Sequence, residues 1–156
     1  ASYIQSEDSY YEFLNIIKKH LKPNGRIYIA IENKLGMKYW AGCQEDHVGG
    51  FFKGVEGYHD VKGVYTFGRK ELEALIGRAG YKDMTFYYPY PDYKFPMAVY
   101  SDDYLPKKGE LSRNNLNFDR EKIYMFDESK VFDQVLEEGM FPFFSNSFLV
   151  EARVGE

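Results

Sequence analysis

The spacing of apolar side chains divides the chain into helical and extended stretches. Over residues 8–21, Tyr10, Phe13, Leu14, Ile17 and Leu21 recur at helical intervals and predict an amphipathic helix. Ser9 and Glu12 have the spacing of a capping box. Lys18, Lys19 and His20 bring positive charge to the last turn, where the helix dipole favours it. Pro23-Asn24-Gly25 then stops the helix and turns the chain. Arg26–Asn33 follows as a strand, with Ile27, Ile29 and Ile31 on one face and Tyr28 and Ala30 on the other. Apolar residues on both faces predict a buried strand of parallel type. Helix, turn and strand together read as half of a βαβ unit.

Periodicity returns after a gap. Residues 69–79 predict a second helix, with Leu72, Leu75, Ile76 and Ala79 on one face and Gly80 as its stop. Tyr81–Tyr88 reads as a strand closed by Pro89-Tyr90-Pro91, and a short strand is expected near Met97–Tyr100. A polar loop follows through Lys107-Lys108-Gly109 and Asn114-Asn115. Residues 128–138 predict a third helix with Val131, Phe132, Val135 and Leu136 inward. In the last strand, Phe144–Val154, Phe148, Val150 and Ala152 alternate with Leu149, Glu151 and Arg153, the pattern of half burial. Two stretches, about 34–66 and 97–140, read as insertions. The first has no clear period but mixes glycines with Tyr39, Trp40, Phe51, Phe52 and Tyr58. A long loop of this kind in a compact domain is usually functional, and its aromatics argue against disorder.

Composition narrows the classes. The 156 residues suffice for a single domain, 1–156. Twenty Lys and Arg against 24 Asp and Glu give a net charge of −4, which speaks against a nucleic-acid partner. No apolar run nears the roughly 18 residues of a membrane helix, so no membrane span is expected. The first residues show no secretory signal pattern. The single cysteine, Cys43, excludes an internal disulfide framework and fits a reducing, cytoplasmic setting. Aromatic residues make up 19%, enough to drive a core at this length and to line a cleft or interface.

Candidate chemistry gathers after the first strand. Glu32 and Asn33 end a strand that is otherwise apolar, and ligands of open α/β sheets bind beyond the carboxyl ends of strands. Glu45-Asp46-His47 sets an imidazole beside carboxylates, a general-base arrangement near neutral pH. His59-Asp60 is a second such pair. Metal binding through Asp46, His47, His59 and Asp60 is an alternative, although no helical His-x-x-x-His is present and one cysteine allows no thiolate cluster. Cys43 reads as a small buried hydrophobe rather than a nucleophile. Tyr87-Tyr88-Pro89-Tyr90-Pro91-Asp92-Tyr93 reads as a rigid strand-ending turn packed on the sheet, or as a stacking wall for a sugar or adenine ring. Phe141-Pro142-Phe143-Phe144 reads as core. No two of the 14 glycines stand two positions apart, so no dinucleotide fingerprint is present, and no Gly-Lys-Ser/Thr run marks a Walker-type loop either.

The run Leu21-Lys22-Pro23-Asn24-Gly25-Arg26-Ile27-Tyr28-Ile29-Ala30-Ile31-Glu32-Asn33 resembles the helix, "LKPGG" turn and fifth strand of class I S-adenosylmethionine-dependent methyltransferases. The segments Lys34–Gly42, Glu45–His47, Glu56–Tyr58, Thr66–Leu72, Tyr88–Lys94 and Phe144–Leu149 are similar to a bacterial branch associated with cell-surface polysaccharide synthesis and sometimes joined to glycosyltransferase modules. The resemblance implies an α/β fold: a partial Rossmann-like sheet in strand order 5-7-6 with the last strand antiparallel. The fifth, seventh and sixth strands fall on Arg26–Asn33, Phe144–Val154 and Tyr81–Tyr88. It makes the chain the carboxyl-terminal portion of the domain. The glycine loop that holds S-adenosylmethionine, and the acidic residue that binds its ribose, would precede Ala1. The complete enzyme would use that cofactor, and this portion alone is expected to be inactive and not to bind it tightly.

The implied activity is methyl transfer to a sugar or glycan-type small-molecule acceptor. Chemistry and position then suggest the roles. Glu32 and Asn33 would position the acceptor, His47 would act as base with Asp46 orienting it, and Tyr39, Trp40 and Tyr58 would wall the pocket. The fifth strand would lack a neighbour, so self-association through its exposed edge is expected. The competing readings are a non-catalytic binding or interaction module with the same half-fold, and a metal-dependent hydrolase.

Overall fold

The computed structural model describes residues 7–59, 61, 63–113 and 120–154. Asp60 and the Asn114-Asn115 part of the polar loop lie outside them. The elements run α1 (Glu7–Lys19), β1 (Arg26–Glu32), α2 (Met37–Trp40), α3 (Arg69–Arg78), β2 (Tyr81–Tyr90), β3 (Ala98–Ser101), α4 (Glu128–Glu137), α5 (Phe141–Phe144) and β4 (Ser147–Val154). The chain is a mixed α/β structure around one open four-stranded sheet in the order β1-β4-β2-β3, every neighbouring pair antiparallel. β1 and β2 therefore run in the same direction on either side of β4. The three strands expected from the resemblance are joined by a fourth, β3, which pairs Tyr87–Tyr90 with Ala98–Ser101.

Register explains the core. Ile27, Ile29 and Ile31 of β1 face Ala152, Val150 and Phe148 of β4, and Phe86 of β2 faces Val150. Partners directly across a ladder share a face, so these side chains form one apolar surface, continued by Tyr88, Tyr90 and Tyr100. The aromatic content is spent here. Tyr88 meets Phe141 and Phe148 edge to face at centroid separations of 5.6 and 6.2 Å, and Phe132 of α4 meets Tyr90 at 6.1 Å. The rigid-turn reading of the Tyr87–Tyr93 stretch holds for Tyr88 and Tyr90, which pack on the sheet.

The helices cap themselves by local chemistry. Glu71 of α3 reaches back to accept from the backbone of Gly68 at 2.8 Å. Asp127 caps α4 by accepting from the Ser129 amide at 3.1 Å. The capping box expected from Ser9 and Glu12 is not used, because α1 has already begun by Glu7 and Ser9 lies inside it. α1 is tied to the sheet region by Tyr81, whose hydroxyl donates to the Leu14 carbonyl at 2.9 Å, and by Lys18, whose ammonium donates to the Ala79 carbonyl at 3.2 Å.

Two burial expectations fail. The helical period put Phe13 inward, yet it is 49% exposed, and Tyr28, expected on a buried second face, is 61% exposed. Among the described residues β1 has a strand only on its β4 side, and the face that carries Tyr28, Ala30 and, on β3, Val99 is largely open. A sheet covered on one face alternates buried and exposed residues, so the apolar pattern of β1 exceeds what its surroundings bury.

Candidate functional site

Glu32 shares the parity of Tyr28 and Ala30, so it emerges on the open face at the carboxyl end of β1. There it is buried, because two loops close over it. The first is the stretch that follows α2 and the second is the turn after β2. Three anchors hold these loops to the strand ends. Asn33 donates from Nδ2 to the carbonyls of Phe143 and Ser145 at 2.8 and 2.7 Å, and its Oδ1 accepts from the Leu35 amide at 3.0 Å. Asn146 accepts from the Lys38 amide at 2.8 Å and donates to the Pro91 carbonyl at 2.9 Å. Lys38 then bridges Asp46 and Asp92 at 2.8 and 2.9 Å, with only 4% of its side chain exposed.

Around this clamp lies a cluster of alternating charges. The Glu32 carboxylate meets Nε2 of His47 at 3.4 Å through one oxygen and Nζ of Lys94 at 3.0 Å through the other. Tyr93 donates its hydroxyl to Glu32 at 3.2 Å. Asp46 accepts from the Tyr39 hydroxyl at 2.6 Å and from Lys94 at 3.4 Å. The carboxylates lie deep. The accessible groups at the mouth are His47 and Lys94, with side chains 33% and 38% exposed.

The electrostatics follow from this arrangement. Burial works to raise the Glu32 pKa, but His47, Lys94 and Lys38 outweigh it and hold the carboxyl at about 2. The same contact with Glu32 raises His47 above its ordinary value, against the effect of burial. Burial alone would lower Lys94, yet Glu32 and Asp46 hold it above the usual lysine range. Burial and the Glu32 carboxylate push Tyr93 up to about 12. Asp46 is lowered, because Lys38 outweighs its burial.

The residues singled out from the sequence separate into three groups. Glu32 and His47 come together. Asp46 does not orient His47. Its carboxylate is taken by Lys38, Tyr39 and Lys94, and the carboxylate that reaches the imidazole is Glu32. Asn33 is fully buried, and its amide fastens the strand end rather than facing the mouth of the cluster. Tyr39 and Tyr58 are buried supports rather than pocket walls. Tyr58 donates to Glu45 at 3.1 Å and shares a 2.6 Å bond with Thr66, and Glu45 in turn accepts from the His47 and Val48 amides at 2.8 and 2.6 Å. Trp40 lies apart, its indole donating to the Leu35 carbonyl at 3.1 Å and its ring set edge-on to Phe144 at 6.3 Å.

Cys43 is buried, and burial pushes its thiol up to about 11. His59 is exposed. No group of three His, Cys, Asp or Glu side chains suited to a metal is found among the described residues. No helix among them is long and apolar enough to cross a membrane. The sequence reading missed Lys38, Asp92 and Lys94. The carboxyl-end rule that picked out Glu32 on β1 would have found Asp92 and Lys94 had it been applied to β2 as well.

A cleft of about 240 Å³ lies elsewhere, lined by Phe67, Glu71, Ala74, Leu75 and Arg78. None of the clustered groups lines it, and the chemistry belongs to the cluster. The turn after β1 leaves no room for the nucleoside of S-adenosylmethionine. Gly36, the first glycine after β1, is packed so that a Cβ there would lie 2.9 Å from Cα of Asn146 and 3.0 Å from the Asn33 carbonyl oxygen. That turn is filled by the chain itself and cradles no nucleoside. No protein-family model matches the chain, and no curated protein or solved structure shows significant similarity to it.

Proposed function

We propose that this chain carries the acceptor side of an S-adenosylmethionine-dependent methyltransferase that acts on a sugar or glycan-type acceptor in a bacterial cytoplasm. One observation carries the reading. The half-open ionic cluster forms at the carboxyl end of β1, where open α/β sheets bind ligands. It is built from residues of the Leu21–Asn33, Lys34–Gly42, Glu45–His47 and Tyr88–Lys94 stretches, four of those that carry the sequence resemblance. The β1-β4-β2 succession also supports it, since the resemblance implies a strand set antiparallel between two that run together. On this reading the open side of β1 receives the donor-binding strands, which another stretch of polypeptide supplies.

Calorimetry tests the proposal. S-adenosylmethionine titrated into this chain gives no binding heat. The same titration into the polypeptide extended by its upstream coding segment gives saturable binding, with methyl transfer to a glycan precursor read by mass. An extended polypeptide that also fails to bind removes the reading. One observation favours a non-catalytic binding module instead: Glu32, Asp46 and Asp92 are largely neutralised within the cluster by Lys38 and Lys94. An upstream coding segment with no βαβ unit decides for that module.

A further inference from the structure

The cluster contains one group whose reactive atom is left over. Nε2 of His47 is held against Glu32 at 3.4 Å, a separation long for a hydrogen bond, so the contact is electrostatic first. The His47 amide is fastened from beneath by Glu45 at 2.8 Å. Nδ1 has no partner among the described residues, and a third of the side chain is exposed. The charged groups that act on the ring are Glu32 from β1 and Glu45 and Asp46 from its own loop, and Tyr93 and Lys94 from the turn after β2 share the Glu32 carboxylate with it.

We propose that Glu32 and His47 form a proton-accepting dyad for a hydroxyl group of the acceptor, with Nδ1 of His47 as the accepting atom and Glu32, not Asp46, as the positioning carboxylate. The argument is one of tautomers. A carboxylate that carries no proton can only accept. The ring nitrogen that faces it must therefore bear the hydrogen of the neutral imidazole, which leaves the lone pair on Nδ1. When an acceptor hydroxyl approaches, its O–H bond breaks, the proton passes to Nδ1, and the electron pair stays on oxygen for attack on an electrophilic carbon. The imidazolium that results is stabilised by Glu32. Lys94, bound to the other oxygen of the same carboxylate and with 38% of its side chain exposed, would donate to a neighbouring hydroxyl oxygen. The acceptor class that fits is a polyhydroxylated molecule attacked at oxygen. The inference rests on the proposed function only for the reaction that this proton removal serves.

Nitrogen NMR of the intact chain tests it, with His47→Gln identifying the His47 signals among those of His20 and His59. The neutral His47 ring is expected as the Nε2–H tautomer, titrating above the ordinary value of 6.5. The accepting form accumulates as pH rises through that midpoint. Glu32→Gln is expected to lower the midpoint by about one pH unit or more, the scale of a lost neighbouring charge. Asp46→Asn should move it by less than half as much. An Nδ1–H tautomer overturns the proposal, and so does a larger shift in Asp46→Asn than in Glu32→Gln. The tautomer is read on the unsubstituted chain, so the test survives a variant that fails to fold. Calorimetry that removes the methyltransferase reading leaves the dyad standing if the tautomer is Nε2–H, and the reverse result removes the dyad alone.

Discussion

Replacing Lys38 with Met tests whether the ionic clamp organises the site. Met keeps most of the aliphatic stem and deletes the charge that joins α2 to the loop carrying Asp46 and to the turn carrying Asp92. Nζ lies 2.8 and 2.9 Å from these two acids, whose side chains are only 10% and 13% exposed. After the substitution Asp46 keeps the Tyr39 hydroxyl and a 3.4 Å contact with Lys94, and Asp92 keeps the Lys94 amide at 3.0 Å. Two carboxylates then remain mostly buried with their principal counter-charge gone. Removing one partner of a buried ion pair costs about 3–5 kcal/mol, a large share of the roughly 5–15 kcal/mol that stabilises a domain. With a urea dependence of about 2 kcal/mol per molar, the unfolding midpoint should fall by about 1.5–2.5 M, read by tryptophan fluorescence and circular dichroism together. The triple variant Lys38→Met, Asp46→Asn, Asp92→Asn should recover part of this, because removing both signs of a buried network is far less costly than removing one. The acid side gives an independent sign. Asp46 is held low by Lys38 in the folded chain, so its contribution is present above the ordinary carboxylate range and is lost as pH falls through the lowered value. In Lys38→Met burial is no longer outweighed, so the cost of the substitution should shrink as pH falls and protonation discharges the buried carboxylate. A cost below about 1 kcal/mol, the level of an exposed pair, would refute the buried-clamp argument.

Two further outcomes follow from the same packing. Asn33→Ala removes two donor bonds and one acceptor bond at a buried position and should destabilise the chain by about 2–4 kcal/mol, measured by chemical unfolding. A cost under about 0.5 kcal/mol would show that Asn33 is not the fastener of the strand end. Cys43, buried and with its thiol pushed up to about 11, should react with a disulfide reagent only as fast as the chain opens, and prompt labelling in native buffer would contradict that.

The parts of this structure legible in the sequence are those whose cause is local. α3 and α4 follow their apolar spacing, because the helical period and the stops at Gly80 and Gly139 act within a few residues. β4 alternates as read, because its buried face is the centre of the sheet. Phe13 and Tyr28 misled the reading because periodicity reports which side chains are apolar, not whether a partner element lies opposite. The one-turn helices α2 and α5 are too short to leave a period. The site failed for a related reason. Asp46 and His47 are neighbours in sequence, which suggested that one serves the other, yet adjacent residues in a turn send their side chains in different directions. The contacts that form instead join β1 to the loop after α2, and α2 to the turn after β2, as with Lys38 and Asp92, 54 residues apart. What brings them together is the sheet. β1 and β2 run the same way on either side of β4, so both deliver a polar loop to the same end. Glu32 from one and Lys94 from the other meet there, and pairing the loops across the sheet before pairing neighbours along the chain would have reached the observed cluster from the strand assignments alone.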